Sequence, residues 1–134
     1  MWCLSALVAA LAFGQPEPVS DAPVRPRAIQ PGDTIALVAP ASPLDRQQIL
    51  RAVDYLKKRG YSVQVRLERE ADGYLSDSDE KRALELNAML ASPEIRAIVC
   101  MRGGYGSPRI LDRIDYSLAR ADPKVIVGFS DITA

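Results

Sequence analysis

The 134-residue chain contains no histidine, only two cysteines and no excess of either charge, with 17 basic and 17 acidic side chains. Without histidine, no Ser-His-Asp or Cys-His arrangement closes within these residues, no histidine-containing metal site can form, and no side chain has an unperturbed pKa near neutrality. Two cysteines cannot make a four-cysteine zinc site, so no metal site is expected. A net charge of zero lacks the basic excess that favours a nucleic-acid partner. What is present, 48% apolar and 25% charged residues, is the composition of a soluble globular protein, and the length suits one domain with a real core.

No run is long enough to span a bilayer. The longest apolar stretch, Leu4 to Phe13 within the uncharged segment 1–14, has the length of the h-region of a secretory signal, and a buried strand or helix is the alternative. No Lys or Arg precedes it, so either Met1 is not the natural start or the signal is atypical. The following residues, 15–31, hold five of the ten prolines, as a stiff extended tether would. Together these segments predict a periplasmic or secreted protein, with the cytoplasm as the alternative. Cys3 would leave with the signal, and Cys100 would then be a lone thiol with no intramolecular disulfide partner.

From residue 32 onward, strands and helices alternate. TIALVAP (34–40) is nearly continuous in strand formers, as in a strand buried on both faces of a parallel sheet. Ser42 then reads as an N-cap, with Pro43 at the first helical position and Asp45 in the first turn. Ile49, Leu50, Val53 and Leu56 form a helical apolar stripe, which Gly60 stops. YSVQVRL (61–67) alternates like a strand nearer a sheet edge. A polar loop, 68–79, leads to a helix with Asp77 and Glu80 as its capping box and Leu84, Leu86, Met89 and Leu90 as core candidates. AIVCM (97–101) is a third buried strand, PRILDRI (108–114) a short helix and KVIVGF (124–129) a fourth strand. Four strands alternating with three helices predict an α/β, doubly wound parallel sheet.

Such sheets gather chemistry at the carboxyl ends of their strands, and two turns lie there. In Arg102-Gly103-Gly104-Tyr105-Gly106 successive glycines let backbone N–H groups converge on an anion or a developing oxyanion. The spacing matches neither the dinucleotide fingerprint nor a P-loop, and a plain tight turn is the alternative. In Gly128-Phe129-Ser130-Asp131 a serine stands at a sharp strand-to-helix corner. From there its hydroxyl can project from the sheet, and the N–H of Asp131 can serve as an oxyanion donor. The general Gly-x-Ser-x-Gly elbow is incomplete because Ile132 occupies its last position, and a serine at a helix start is more often just an N-cap. Arg102 suits a substrate carboxylate or a backbone carbonyl, and Tyr105 is placed to line a pocket.

Taken together, PGDTIALVAPASP (31–43), YLSDSDEKRALELNAML (74–90), IVCMRGGYGSPRILDRID (98–115) and PKVIVGFSDITA (123–134) resemble the N-terminal domain of the LD-carboxypeptidases, serine peptidases that include the microcin-immunity peptidases. The resemblance implies a flavodoxin-like sheet, here truncated after its fourth strand, with a C-terminal domain absent. It implies Ser130 as nucleophile, the backbone N–H groups of Gly104 and Asp131 as oxyanion hole, and Gly103, Arg102 and Tyr105 as substrate contacts. The implied reaction is hydrolysis of the L,D amide that releases a terminal D-amino acid from a murein tetrapeptide-like substrate, with no cofactor, and with homodimers at full length. The microcin branch cleaves a peptidyl-nucleotide instead. A non-catalytic flavodoxin-like module, its glycine turn holding a phosphate, is the reading from a different class.

The family triad is Ser-Glu-His, with Glu and His from the C-terminal domain. None of Glu68, Glu70, Glu80, Glu85 and Glu94 matches the family's glutamate, and all read as solvated. The isolated chain is therefore expected to be inactive, with an apolar face of the fourth strand left exposed.

Overall fold

A computed structural model describes residues 22–133. The signal-like segment 1–14 and residues 15–21 of the proline-rich run lie outside the described residues. Residues 22–30 form no helix or strand, and Arg27 in this stretch is fastened to Asp33 at 2.5 Å.

Four parallel strands make one sheet: β1 (Thr34–Val38), β2 (Ser62–Val65), β3 (Ile95–Cys100) and β4 (Val125–Val127), in the order β2-β1-β3-β4. The β2 edge position agrees with its alternating pattern. Because successive strand residues face opposite ways, β1 divides the core in two. Ile35 and Leu37, with Ala97, pack against Ala52, Val53 and Leu56 of α1 (Arg46–Lys57) on one face. Ala36 and Val38, with Ile98 and Cys100, pack against Leu86, Met89 and Leu90 of α2 (Asp79–Ala91) on the other. Helices on both faces make the sheet doubly wound, and the strand order is that of a flavodoxin-like fold through its fourth strand.

The structure corrects several local expectations. The N-cap of α1 is Asp45 and not Ser42: Asp45 accepts from the Gln48 N–H at 2.9 Å and Gln48 reaches back to the Asp45 N–H, a complete capping box. The cap of α2 is Ser78, one residue beyond Asp77. Leu84 is 70% exposed, whereas Arg82, on the neighbouring face of the same helix, is 1% exposed. The loop before α2 is not solvated throughout, since Leu75, Ser76 and Asp77 are all buried. Residues Ser107–Arg113 form a 3-10 helix, and a further short helix, α3 (Tyr116–Ala121), capped by Asp115, precedes β4. The apolar exposure expected along the fourth strand is present at Ile126, Val127 and Phe129. No helix among the described residues is long and apolar enough to cross a membrane.

Candidate active site

The carboxyl ends of β1, β3 and β4 bring three turns together, around the point between β1 and β3 where the strand order reverses. After β1 the chain runs through Pro40, Ala41 and Ser42; after β3 it runs through Arg102 to Gly106; after β4 it turns sharply into a 3-10 helix, Ser130–Thr133. The first two turns continue the strand pairing: Met101 N–H donates to Val38 at 2.9 Å, and Ser42 N–H donates to the Gly103 carbonyl at 3.3 Å.

Ser130 has φ of 56°, the only positive value at a non-glycine residue among those described. This left-handed conformation costs an L-residue roughly 1–2 kcal/mol, and it is held by the tight 3-10 turn that follows. Ile132 N–H closes on the Phe129 carbonyl at 3.3 Å, and the Thr133 hydroxyl donates to the Ser130 carbonyl at 3.0 Å. Gly128 is required here, because a Cβ at that position would run into the Ile132 side chain. Ser130 itself is exposed.

The two sequence-predicted turns are in contact. A Cβ on Gly103 would come 2.9 Å from Ser130 Cβ and 3.0 Å from the Phe129 carbonyl, so only glycine lets the turn lie flat against the serine. Gly104 takes φ of 111°, and a Cβ there would overlap the Ser42 hydroxyl. A second link runs through a side chain. The Asp131 carboxylate accepts the Ser107 N–H at 2.8 Å, at the start of the 3-10 helix that follows the glycine turn. Asp131 thus contributes a carboxylate tie between the two turns, a role that its position in the sequence did not signal.

Of the remaining expected residues, Arg102 donates to the Pro43 carbonyl at 2.9 Å, the backbone alternative of its two readings. Tyr105 is exposed and meets Tyr74 edge-on with ring centroids 5.8 Å apart, so the long loop before α2 shares a rim with the glycine turn. Glu85, expected in solvent, is largely buried and held by Arg69 through two hydrogen bonds of 2.5 and 2.6 Å, beside β2 and away from these turns. Cys100 is a buried free thiol, and burial pushes its pKa up to about 11, leaving it a core residue.

The domain that carries these turns is similar to known proteins. Residues 35–134 match the model of the LD-carboxypeptidase N-terminal domain. The chain belongs to the LD-carboxypeptidase family. It is 38% identical over 110 residues to a probable murein peptide carboxypeptidase of Bacillus subtilis, covering 81% of this chain and 34% of that protein. It is 36% identical over 107 residues to the microcin C7 self-immunity protein of Escherichia coli, covering 77% of this chain and 31% of the relative. Among solved structures, the wild-type apo form of that microcin C7 self-immunity protein superposes with a TM-score of 0.78 at 30% identity over 83% of this chain and 34% of the other. A muramoyltetrapeptide carboxypeptidase from Oxalobacter formigenes gives 0.69 at 29% identity, over 75% and 34%. The chain therefore spans about a third of the length of the curated relatives it matches. The parallel α/β sheet of this chain is thus structurally similar to these solved members.

Proposed function

We propose that Ser130 is the nucleophile of a murein-peptide LD-carboxypeptidase. The carrying observation is its backbone: a strained serine at φ 56°, exposed at the end of a strand and laid against a glycine that only a missing Cβ allows. Non-glycine residues in this conformation cluster at active sites, where the surrounding structure holds the strain. The Ser130 hydroxyl attacks the carbonyl of the L,D amide, and the tetrahedral oxyanion is met by the backbone N–H groups of Gly104 and Asp131. Collapse breaks the C–N bond, releases the terminal D-amino acid and leaves an acyl-serine that water then hydrolyses. The proton is taken from Ser130 and delivered to the leaving amine by a His-Glu pair supplied by residues beyond Ala134. On this reading the 134 residues alone release no D-alanine. Export, on the signal-like segment 1–14, and homodimerisation at full length, on the family resemblance, belong to the same proposal.

The test uses the full-length protein. Labelling by a fluorophosphonate is expected in the wild type and absent in Ser130→Ala, along with D-alanine release from a murein tetrapeptide. Undiminished labelling of the alanine variant would reject the assignment. The family also includes the 36%-identical microcin C7 self-immunity protein, which has been solved in complex with aspartyl sulfamoyl adenosine, and this supports a second substrate class, a peptidyl-nucleotide. The same assay run with an aminoacyl sulfamoyl adenosine separates the two.

A further inference from the structure

The one arginine of α2 that faces inward, Arg82, has no part in the chemistry just described, yet its guanidinium is fully shielded from solvent. A charged group in that position is costly unless every donor is met, and here the partners are specific. Nε donates to the Asp77 carbonyl at 3.1 Å. Nη1 donates to the Gly106 carbonyl at 3.1 Å and to the Pro40 carbonyl, and Nη2 pairs with the Asp79 carboxylate. Asp79 is in turn held by Arg109 at 3.0 Å. Pro40 belongs to the turn after β1 and Gly106 closes the glycine turn after β3. One planar, rigid cation thus joins the turn after β1 to the glycine turn that contains Gly104, and its hold on Gly106 adjoins the Ser107–Asp131 link to Ser130. Gly106 is left-handed at φ 115°, and a Cβ there would strike Leu75, so the loop packs tightly against the clamp.

We infer that Arg82 is a positioning residue for the oxyanion turn: its guanidinium fixes the Pro40 and Gly106 carbonyls, and through them the spacing between Gly104 and Ser130. The inference rests on the peptidase reading given above. A role in folding alone makes a different forecast: removing one partner of a buried pair lowers stability but leaves the kcat of the folded protein unchanged. Misplacing a reacting geometry by about 1 Å costs on the order of a hundredfold in rate.

In the full-length protein, kcat and KM for D-alanine release, the rate of fluorophosphonate labelling and the urea midpoint are measured for Arg82→Met and Arg82→Lys. Both are expected to fold, with kcat and the labelling rate lower by about ten- to a hundredfold, KM within about twofold, and the lysine variant less affected than the methionine one. Folded variants with wild-type kcat and labelling rate, or a loss confined to KM, would overturn the inference. So would the unfolding of both, which assigns Arg82 to the fold alone. If the wild type labels but releases no D-alanine, the substrate reading fails and the labelling rate still decides Arg82. If the wild type does not label, both fall.

Discussion

On the proposed reading, Ser130 combines two demands that ordinarily conflict. A nucleophile needs a side chain, whereas φ of 56° favours a residue without one. Removing the side chain entirely relieves the strain that removing only the hydroxyl leaves. Ser130→Gly is therefore expected to be more stable than Ser130→Ala by about 1 kcal/mol, read as a higher urea midpoint at equal m-value. Equal midpoints would mean that the turn stores no strain. At this scale the sequence was partly legible. Gly103, Gly104 and Ser130 announce themselves, because glycine pairs and a serine after an apolar strand are local signals. Arg82 did not: on an amphipathic helix a long charged side chain reads as solvent-facing, and nothing within the chain's local pattern reveals three carbonyls waiting for it.

Helix α1 shows how an element boundary escapes the sequence. Ser42-Pro43 and Asp45 both carry start signals three residues apart, and propensity alone cannot rank them. The tertiary structure ranks them, because the Ser42 N–H is spent on the Gly103 carbonyl and its hydroxyl lies against Gly104, leaving Asp45 to close the helix with Gln48. Asp45→Ala is expected to cost about 1 kcal/mol of stability, whereas Ser42→Ala leaves helix content by circular dichroism unchanged. A comparable loss of helix in both would contradict this division of roles. Helix α3 was missed for a different reason: six residues, none of them buried, carry too little apolar periodicity to be seen.

The absence of histidine also shapes the whole molecule. No side chain titrates near neutrality unless shifted there, so among side chains stability depends on carboxylates alone in the mild acid range. In Asp79, burial raises the carboxyl pKa, but Arg109 and Arg82 outweigh it and hold it below the ordinary value. Arg27 does the same for Asp33, and Lys124 for Asp122. A carboxyl depressed in the folded state stabilises fully above its unfolded value and loses that contribution as pH falls through the lower folded one. The urea midpoint is therefore expected to stay level from about pH 7 to 5 and to decline below about pH 4. A midpoint that rises on acidification would contradict the assigned pairs. Exposed Ile126, Val127 and Phe129 carry a second consequence. A polypeptide of these 134 residues is expected to bind a hydrophobic dye and to scatter light at modest concentration, and a monodisperse, dye-negative sample would count against it.

The chain order of the four strands and of helices α1 and α2, the two turns at the strand ends and the lack of a complete triad within these residues were determined by sequence alone. Each is written in neighbouring residues, as apolar runs, glycine spacing or a missing residue type. Which cap closes α1, which arginine is buried, and that the two turns touch through Gly103 and Ser130 were decided only in three dimensions. Those outcomes join residues dozens of positions apart, and a parallel sheet brings such residues to one end by topology, not by proximity in the chain.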